Sequence, residues 1–501
     1  MAKKAVWIVD FGSQYTQLIT RRSRELGFSS EIITYNTLLK RWKQNLRPGC
    51  IVLSGGPQSI FEDPRDYKFI FEEDEIPILG ICYGMQIIGH VFGGKVEKGT
   101  SGEYGLSEIH FENSSQNFGL KERFKSWMSH FDHVSKVPVG FKKMLTSENG
   151  FIAGLCHEER PIWGLQFHPE VEHTDNGREI LSSFFSKVAK VKKDWGDSEM
   201  MKEALDVICS ERDSQILCAF SGGVDSLVAA ALCEKINPKN LHCFFVDHGL
   251  LRPQDIHHIN LLIDKTDLNI QVIDAKDQFF SKLKGVNEPE EKRKIIGREF
   301  ITVFERMVHE YEEVQGIKFT HLLQGTLYPD VIESVSPHGE EGISSTIKSH
   351  HNVGGLPERM KLKLLEPLRY LFKDEVRKLG ESLGLDYDWV HRHPFPGPGI
   401  GVRVLGELTP ERVSQVGKSD QILFEELKRQ NLYHSTWQAL TVLLPIKTVG
   451  VKGDERAYEE VICLRMVNSS DGMTATYSKL PFEFLSIVSR RITNEVPGIT
   501  R

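Results

Sequence analysis

Residues 80–84, with the sequence GICYG, place a cysteine between two glycines. A strand that turns sharply into a helix exposes a nucleophile at such a position, because the small glycines let the backbone turn. The N-terminus of the helix also favours the thiolate form of a cysteine. The pattern therefore predicts that Cys82 is a nucleophile, and a small core residue is the alternative.

A candidate base and its orienting acid lie in the segment WGLQFHPEVEH, where His168 precedes Glu170 by two residues. In a relay of nucleophile, base and acid, the imidazole takes the thiol proton and the carboxylate fixes the tautomer of the ring. The H-x-E pattern also occurs in zinc deaminases, but these carry a following P-C-x-x-C that this sequence lacks. Together with the cysteine turn, the pattern predicts covalent catalysis at Cys82.

Two glycines follow another predicted strand in the segment LSGGPQSI, residues 53–60. The backbone N–H groups of Gly56 and Tyr83 could together approach an oxyanion that develops on the substrate. An ordinary turn from a strand into a helix is the alternative.

A second glycine turn, in the segment CAFSGGVDSLVAA, separates an apolar strand from an alanine-rich helix. Its backbone N–H groups can wrap around phosphate oxygens, and the helix N-terminus favours an anion. Asp225 would repel a phosphate, so its predicted role is to hold Mg²⁺ between the two. The segment is neither a Walker A loop nor a Rossmann fingerprint, and a generic glycine turn is the alternative. The predicted phosphate-binding residues are Ser221, Gly222, Gly223, Val224, Asp225 and Ser226.

These sites stand where short apolar runs alternate with helical patterns. Such alternation predicts parallel sheets with crossover helices. The apolar runs that are predicted to be strands cover residues 5–10, 50–56, 76–82, 215–220 and 241–249.

A polar segment after Lys187, KVAKVKKDWGDSEM, is the predicted linker between the two alternating regions. From the segment RHPFPGPGIGVRV onward, helices and strands mix without that regularity. The sequence therefore predicts an α/β protein with two doubly wound parallel-sheet domains and a small α+β C-terminal domain. The expected domain ranges are 1–190, 191–393 and 394–501.

The composition limits the functional classes. The 501 residues carry 62 basic and 69 acidic side chains, a net charge of -7, and the basic cluster EKRKIIGRE is interrupted by acids, so no nucleic-acid partner is predicted. Eight cysteines without a CxxC pair favour reduced thiols in the cytoplasm. No segment approaches the roughly 20 apolar residues that span a bilayer, and the N-terminal apolar run is short for a signal peptide. We therefore expect a cytoplasmic protein without a membrane partner.

Residues 5 to about 190 resemble a class I, triad-type glutamine amidotransferase domain, with Cys82, His168 and Glu170 at the triad positions. The resemblance implies a flavodoxin-like fold and the hydrolysis of glutamine through a thioester at Cys82. It also implies that the ammonia released is used elsewhere.

The S-G-G-x-D-S turn resembles the pyrophosphate loop of ATP pyrophosphatases, which cut ATP between its α and β phosphates and adenylate a substrate oxygen. The resemblance implies a Rossmann-like second domain. It also implies ATP contacts at Val246 and Gly325, in the segments VDHGLLR and QGTLYPDVIES.

Five further segments extend a resemblance over nearly the whole chain. They are KRKIIG, IKSHHNVGGLP, LFKDEVRKLG, RHPFPGPGIGVRVLGE and VGVKGD, and all are similar to the glutamine-hydrolysing GMP synthase family. The resemblance implies that ATP and Mg²⁺ adenylate O2 of the xanthine ring of XMP, and that ammonia then displaces AMP to give GMP. It also implies a mobile lid that excludes water from the adenylate. The residues implied for XMP or adenylate binding are Arg293, Lys348, His350, Lys373, Asp374 and Arg403, of which Lys373 and Asp374 lie in the lid.

The sequence departs from the family pattern in its last part. Family members typically continue into a tail of the form K-P-P-x-T-x-E-W-E that is implicated in holding XMP, whereas this sequence ends at Arg501. Lys452 and Tyr477 also differ from the residues usual there. Two explanations are open, a truncated sequence or altered XMP binding. The alternative functions are amination of a different acceptor and a non-catalytic sensor of nucleotides or glutamine. The resemblance also implies a homodimer through the C-terminal domain.

Overall fold

The computed structural model describes residues 5–99, 102–112, 122–334, 362–393, 397–452, 455–468 and 476–501. These residues form two compact units, of which unit 1 ends at Glu199 and unit 2 begins at Met200. The domain boundaries that the sequence analysis expects at residues 190 and 393 stay predictions.

Unit 1 contains eleven strands in its described part. They are β1 Val6–Val9, β2 Ser30–Ile33, β3 Cys50–Leu53, β4 Ile78–Ile81, β5 Lys95–Glu97, β6 Glu103–Phe111, β7 Arg123–His130, β8 His133–Lys136, β9 Phe141–Ser147, β10 Ile152–His157 and β11 Ile162–Leu165. Its helices are α1 Thr16–Glu25, α2 Tyr35–Lys43, α3 Lys68–Phe71, α4 Tyr83–Val91 and α5 Gly177–Ser183, which continues into the π-helical turn Phe184–Val188.

Nine of these strands form one sheet in the order β2-β1-β3-β4-β11-β10-β9-β6-β7, and β5 pairs separately with β8. From β2 to β11 neighbouring strands are parallel, whereas from β11 to β7 they are antiparallel. The sequence analysis foresaw the parallel half only. The burial patterns explain both halves, because β1, β3, β4 and β11 are buried at every residue, whereas β7 alternates between buried and more exposed positions.

The register of unit 1 decides which loops meet. β4 and β11 are adjacent parallel strands, and Ile81 lies opposite Leu165. The carboxyl ends of adjacent parallel strands lie at the same edge of the sheet. Cys82 and His168, which follow these two strands, are therefore brought to one edge.

Unit 2 contains two sheets in its described part. The strands are β12 Ile216–Ala219, β13 Leu241–Asp247, β14 Ile270–Asp274, β15 His321–Leu323, β16 Lys363–Leu365, β17 Gln438–Lys452, β18 Glu455–Asn468 and β19 Thr476–Tyr477. The helices are α6 Asp197–Cys209, which begins before the unit boundary, α7 Val224–Ile236, α8 Pro253–Lys265, α9 Lys276–Leu283, α10 Pro289–Gln315, α11 Tyr328–Ser334, α12 Lys373–Ser382, α13 Tyr387–Val390, α14 Pro410–Arg429 and α15 Phe482–Glu495.

The first sheet of unit 2 is parallel throughout, in the order β14-β13-β12-β15-β16. The chain moves outward from β12 to β14 and then returns to the other side of β12 as β15. The gap between β12 and β15 is therefore the point where the strand order reverses, and ligands of such sheets bind there at the carboxyl ends of the strands. The loop 221–226 follows β12, and Gly325 follows β15.

The second sheet of unit 2 is antiparallel, in the order β17-β18-β19, with a register shift between Leu444 and Lys447. One cluster of buried apolar side chains includes Phe244 of the parallel sheet, Leu443 of β17 and Phe484 of α15. The C-terminal elements therefore share a core with the parallel sheet.

The predicted α/β class, with two parallel-sheet regions and a mixed C-terminal region, is confirmed. Each of the five apolar runs that were predicted to be strands contains one, namely β1, β3, β4, β12 and β13. Within the described ranges, no helix combines the length and the apolar character that a membrane span requires.

Candidate active sites

Cys82 stands between β4 and α4 with a backbone φ of 50° and ψ of -103°. A positive φ at a residue other than glycine costs about 1–3 kcal/mol and requires support from its surroundings. A Cβ on Gly80 would lie 2.5 Å from the carbonyl of Gly84, and one on Gly84 would lie 2.3 Å from the carbonyl oxygen of Leu53. Both flanking glycines are therefore needed for the close approach of the backbone, as in a nucleophile elbow.

His168 and Glu170 form a buried pair behind the elbow. The Nδ1 atom of His168 lies 2.7 Å from Oε1 of Glu170, and both residues are at most 2% exposed. Burial alone lowers the pKa of His168, but the charge of Glu170 and the neighbouring Cys82 sulphur outweigh it and raise that pKa to about 10. Because Nδ1 bonds Glu170, Nε2 is the nitrogen that is left to face the thiol.

Three residues that the sequence analysis did not single out hold His168 in place. The backbone N–H of His168 donates to the carbonyl of Trp127 at 3.1 Å, and the Thr174 hydroxyl donates to the carbonyl of His168 at 2.7 Å. The ring of Tyr15 packs edge-on against the imidazole, with the centroids 4.8 Å apart. No local sequence signal marks them, because each comes from a different part of unit 1.

A cavity of about 620 Å³ opens onto the thiol. Its lining includes Cys82, His168, Gly56, Gln86 and Ser129. The thiol lies 3.6 Å from the carbonyl oxygen of Ser129, and the Gln86 side chain donates to the carbonyl of Asp132 at 2.8 Å. The cavity therefore combines a nucleophile, a base and polar walls in a volume that suits a small polar substrate.

The two predicted oxyanion donors are close to this elbow. Gly56 lines the cavity, and a Cβ at this position would lie 2.8 Å from the carbonyl oxygen of Phe11. Tyr83 is the first residue of α4, where a backbone N–H has no acceptor within the helix. Their role as donors stays a prediction.

The loop 221–226 of unit 2 forms the predicted turn between β12 and α7. Gly222 has a φ of 69°, and a Cβ there would lie 2.5 Å from Cδ1 of Ile259. The hydroxyls of Ser221 and Ser226 lie 3.0 Å apart, and the Ser226 hydroxyl donates to the carbonyl of Gly223. Val224, Asp225 and Ser226 begin α7, so their N–H groups stand at a helix N-terminus.

Asp225 connects this loop to two other elements. The ammonium of Lys373, at the start of α12, lies 2.7 and 2.6 Å from its two carboxylate oxygens. A Cβ on Gly325 would lie 2.8 Å from the carbonyl carbon of Asp225. The structure therefore brings Asp225, Gly325 and Lys373 together, and Val246 lies on the neighbouring strand β13.

Comparisons with known proteins agree with this two-site arrangement. Residues 7–188 match the glutamine amidotransferase class-I family, residues 215–326 match the phosphoadenosine phosphosulfate reductase domain, and residues 425–501 match the GMP synthase C terminal domain. A GMP synthase [glutamine-hydrolyzing] from Aquifex aeolicus is 48% identical over 505 residues, which cover 100% of this chain and 97% of that protein. The corresponding protein from Thermosipho melanesiensis is 49% identical and covers 99% and 97%.

The chain belongs to the glutamine-hydrolysing GMP synthase family. Among solved structures, a putative GMP synthase protein from Thermoplasma acidophilum is 34% identical over 38% of this chain and 96% of its own, with a TM-score of 0.34.

Two of the arginines that the resemblance to the GMP synthase family suggested for nucleotide binding are bonded to carboxylates. The Arg293 guanidinium donates to both oxygens of Glu290, at 2.8 and 2.7 Å. Arg403 is 4% exposed and donates to Asp420 at 2.6 Å, and Asp420 also accepts from Thr441. This geometry favours a structural role for Arg403, and nucleotide binding by either arginine stays a prediction.

The remaining family-based candidates differ in how much the structure describes. Asp374 is half-buried in the first turn of α12, directly after Lys373. Lys348 and His350 lie outside the described residues.

Lys292 is a buried cation that the sequence analysis did not single out, although it lies in the quoted segment KRKIIG. It is 0% exposed, and its ammonium donates to the carbonyls of Val404 and Gly406. Burial is the main reason that its pKa is lowered to about 8, with Arg412 acting in the same direction. Lys292 therefore ties α10 to the segment that follows the proline and glycine cluster.

Proposed function

We propose that the chain hydrolyses glutamine at Cys82 and uses the ammonia to convert XMP to GMP, with ATP cleaved to AMP and pyrophosphate. The observation that carries this proposal is the elbow that presents Cys82 beside the buried pair of His168 and Glu170, in a chain 48% identical to GMP synthases over its full length.

In the first half-reaction the Cys82 sulphur attacks the amide carbon of glutamine. The oxyanion that forms accepts hydrogen bonds from the N–H groups of Gly56 and Tyr83. His168 gives a proton to the departing nitrogen, and ammonia leaves a thioester on Cys82. Water, deprotonated by His168, then attacks the thioester and releases glutamate and the thiol. The raised pKa of His168 supports this role, because the ring holds a proton that it can give to the leaving group.

In the second half-reaction O2 of the xanthine ring attacks the α-phosphorus of ATP, pyrophosphate leaves, and ammonia displaces AMP. The N–H groups of residues 221–226 bind phosphate oxygens at the N-terminus of α7. Val246 and Gly325 line the same carboxyl edge of the sheet. Lys373 and Asp374 lie where a lid could close over the adenylate and exclude water.

Asp225 fits the Mg²⁺ that this chemistry requires. Magnesium in ATP sites commonly takes one or two carboxylates and completes its shell with phosphate oxygens and water. Among the described residues, no three His, Cys, Asp or Glu side chains form a metal site by themselves, which agrees with an ion held jointly by Asp225 and ATP. The bound ion would supply positive charge to the phosphates.

The test of this function follows both products and nitrogen. The full chain is incubated with MgATP, XMP and glutamine labelled with ¹⁵N in the side-chain amide. We expect GMP that carries the label at its exocyclic amino group, with AMP, pyrophosphate and glutamate in equal amounts. Formation of ADP and phosphate, or labelled ammonia without labelled GMP, would contradict the proposal, and a panel of other nucleotide acceptors would then identify the substrate.

The chain is also proposed to work as a homodimer in the cytoplasm. Several apolar side chains of the C-terminal region are exposed, including Ile446, Val449 and Tyr458 of the hairpin β17–β18. The expected helix α15 contributes less, because Phe484, Val488 and Ile492 already pack into the core of unit 2. All eight cysteines are free thiols, as expected for the cytoplasm. Light scattering behind gel filtration would give a single mass near twice 57.1 kDa for a dimer.

A further inference from the structure

A buried carboxylate lies next to the elbow but touches neither the thiol nor the imidazole. The side chain of Asp63 is 0% exposed, and its Oδ2 atom accepts from the hydroxyls of Tyr67 and Tyr83, both at 2.5 Å. Arg65 donates to both carboxylate oxygens, at 2.7 and 2.8 Å. Four strong donors on one buried carboxylate are more than a loop of this length needs to keep its shape.

The ring of Phe11 completes this group. It packs edge-on against Tyr67 and Tyr83, with centroids 5.7 and 5.3 Å apart, and the Arg65 guanidinium lies 5.3 Å from it. We refer to Phe11, Asp63, Arg65, Tyr67 and Tyr83 as the Asp63 cluster.

The Asp63 cluster connects the two segments that carry the proposed oxyanion donors. One of its hydroxyls belongs to Tyr83, the residue directly after the nucleophile. Its other members come from the loop that runs from Gly56 to α3, and from Phe11, whose carbonyl oxygen and Cβ lie within 2.9 Å of a Cβ placed on Gly56. Any movement of Asp63 would therefore change the separation of the N–H groups of Gly56 and Tyr83.

The charge state of the cluster is stable at physiological pH. Burial by itself raises the pKa of Asp63, but the hydrogen bonds from Arg65, Tyr67 and Tyr83 lower it to about 2. The carboxylate is thus ionised wherever the enzyme works, and it holds both hydroxyls as donors.

We propose that Asp63 is a positioning residue, which acts through Tyr83 to fix the spacing of the two N–H groups that bind the oxyanion. This inference rests on the proposed glutamine hydrolysis. The alternative is that the Asp63 cluster only adds to the stability of unit 1. The two explanations differ for reactions of Cys82 that form no oxyanion.

The test compares Tyr83→Phe with Tyr35→Phe in the full chain. Tyr83→Phe removes one donor from Asp63, whereas Tyr35→Phe removes a hydroxyl that donates to the carbonyl of Asp66 at 2.7 Å and does not touch Asp63. For Tyr83→Phe we expect kcat for glutamine hydrolysis to fall about tenfold at unchanged KM, because oxyanion binding strengthens in the transition state. Tyr35→Phe should stay within twofold of the wild type.

Alkylation of Cys82 by iodoacetamide separates positioning from stability. In this reaction the thiolate sulphur bonds to the methylene carbon and iodide leaves, so no oxyanion forms. The alkylation rate of Tyr83→Phe should therefore stay within twofold of the wild-type rate. A parallel loss of alkylation and hydrolysis, or an unchanged kcat, would overturn the proposal.

A double variant gives a second decision. If Asp63 acts through Tyr83, the kcat of Asp63→Asn with Tyr83→Phe should equal that of Asp63→Asn alone, whereas independent effects would multiply and contradict the proposal. Should Asp63→Asn fail to fold by circular dichroism, the pair Tyr83→Phe and Tyr35→Phe decides alone. A wild-type chain without glutaminase activity would refute the proposed function, whereas an active wild type with equal Tyr variants would refute only this inference.

Discussion

The two candidate sites differ in how far they are assembled. In unit 1 the thiol, the imidazole and the carboxylate are already in sequence along a buried path, and a cavity opens onto the thiol. In unit 2 the carboxylate of the phosphate loop is bonded to Lys373, and the arginines that were expected to bind nucleotides are bonded to acids.

The difference follows from the ligands that each site handles. A nucleophile must be activated before a neutral substrate arrives, so the protein itself supplies the charges that stabilise it. A triphosphate brings several negative charges, and a loop that offers backbone N–H groups and one carboxylate is complete only with the nucleotide and its metal ion. Until then Lys373 supplies a positive charge beside Asp225.

The largest expected effect separates the two sites. Cys82→Ala should lower glutamine-dependent GMP synthesis by at least about 10³-fold, because no thioester can form. Synthesis from ammonium chloride should stay within about twofold, since unit 2 is unchanged. Steady-state rates with each nitrogen source give the answer, with Cys156→Ala, a buried cysteine on β10, as the control. Loss of both activities would mean that the sites do not divide the chemistry as proposed.

Asp225→Asn should produce the opposite pattern. Without the carboxylate, Mg²⁺ loses its protein ligand, and we expect ammonia-dependent GMP synthesis to fall about 10²-fold. Hydrolysis of glutamine should continue. The matched control is Asp264→Asn, at an exposed position on α8. If raising the Mg²⁺ concentration changes the rates of variant and wild type in the same proportion, Asp225 does not hold the ion.

Glu170→Gln tests why the unit 1 site is assembled before its substrate binds. Loss of the carboxylate charge should lower the pKa of His168 from about 10, because burial then acts against the imidazolium. NMR titration of the His168 ring should show the proton lost at a lower pH than in the wild type, and kcat for glutamine hydrolysis should fall about tenfold. Glu172→Gln, exposed and two residues further on, should change neither. An unchanged titration would exclude the ion pair.

The smallest expected effect concerns a cation that unit 2 uses internally. Lys292→Met leaves the carbonyls of Val404 and Gly406 without their donor, so the free energy of unfolding should decrease by about 1–3 kcal/mol. Lys294→Met, with 63% of the side chain exposed on the same helix, should decrease it by less than about 0.5 kcal/mol. Urea denaturation compares the two. A Lys292→Met chain of full stability but with weakened XMP binding would instead make Lys292 a ligand residue.

The sequence by itself determined the parts of this protein that depend on neighbours along the chain. The turn around Cys82, the spacing of His168 and Glu170, and the loop 221–226 are local, because glycines and a helix N-terminus a few residues away set the geometry. The apolar runs likewise identified β1, β3, β4, β12 and β13.

Tertiary structure alone decided which distant residues meet. The pairing of β4 with β11, the antiparallel half of the unit 1 sheet, and the contact of Lys373 with Asp225 all join segments far apart in the chain. The same holds for the Asp63 cluster and for the burial of Lys292 and Arg403. Such contacts depend on how all elements pack at once, so a charge in a motif can end either at a ligand site or in a buried bond. A pattern of residue types does not distinguish these two outcomes, because it specifies chemistry and local shape but not the long-range partner.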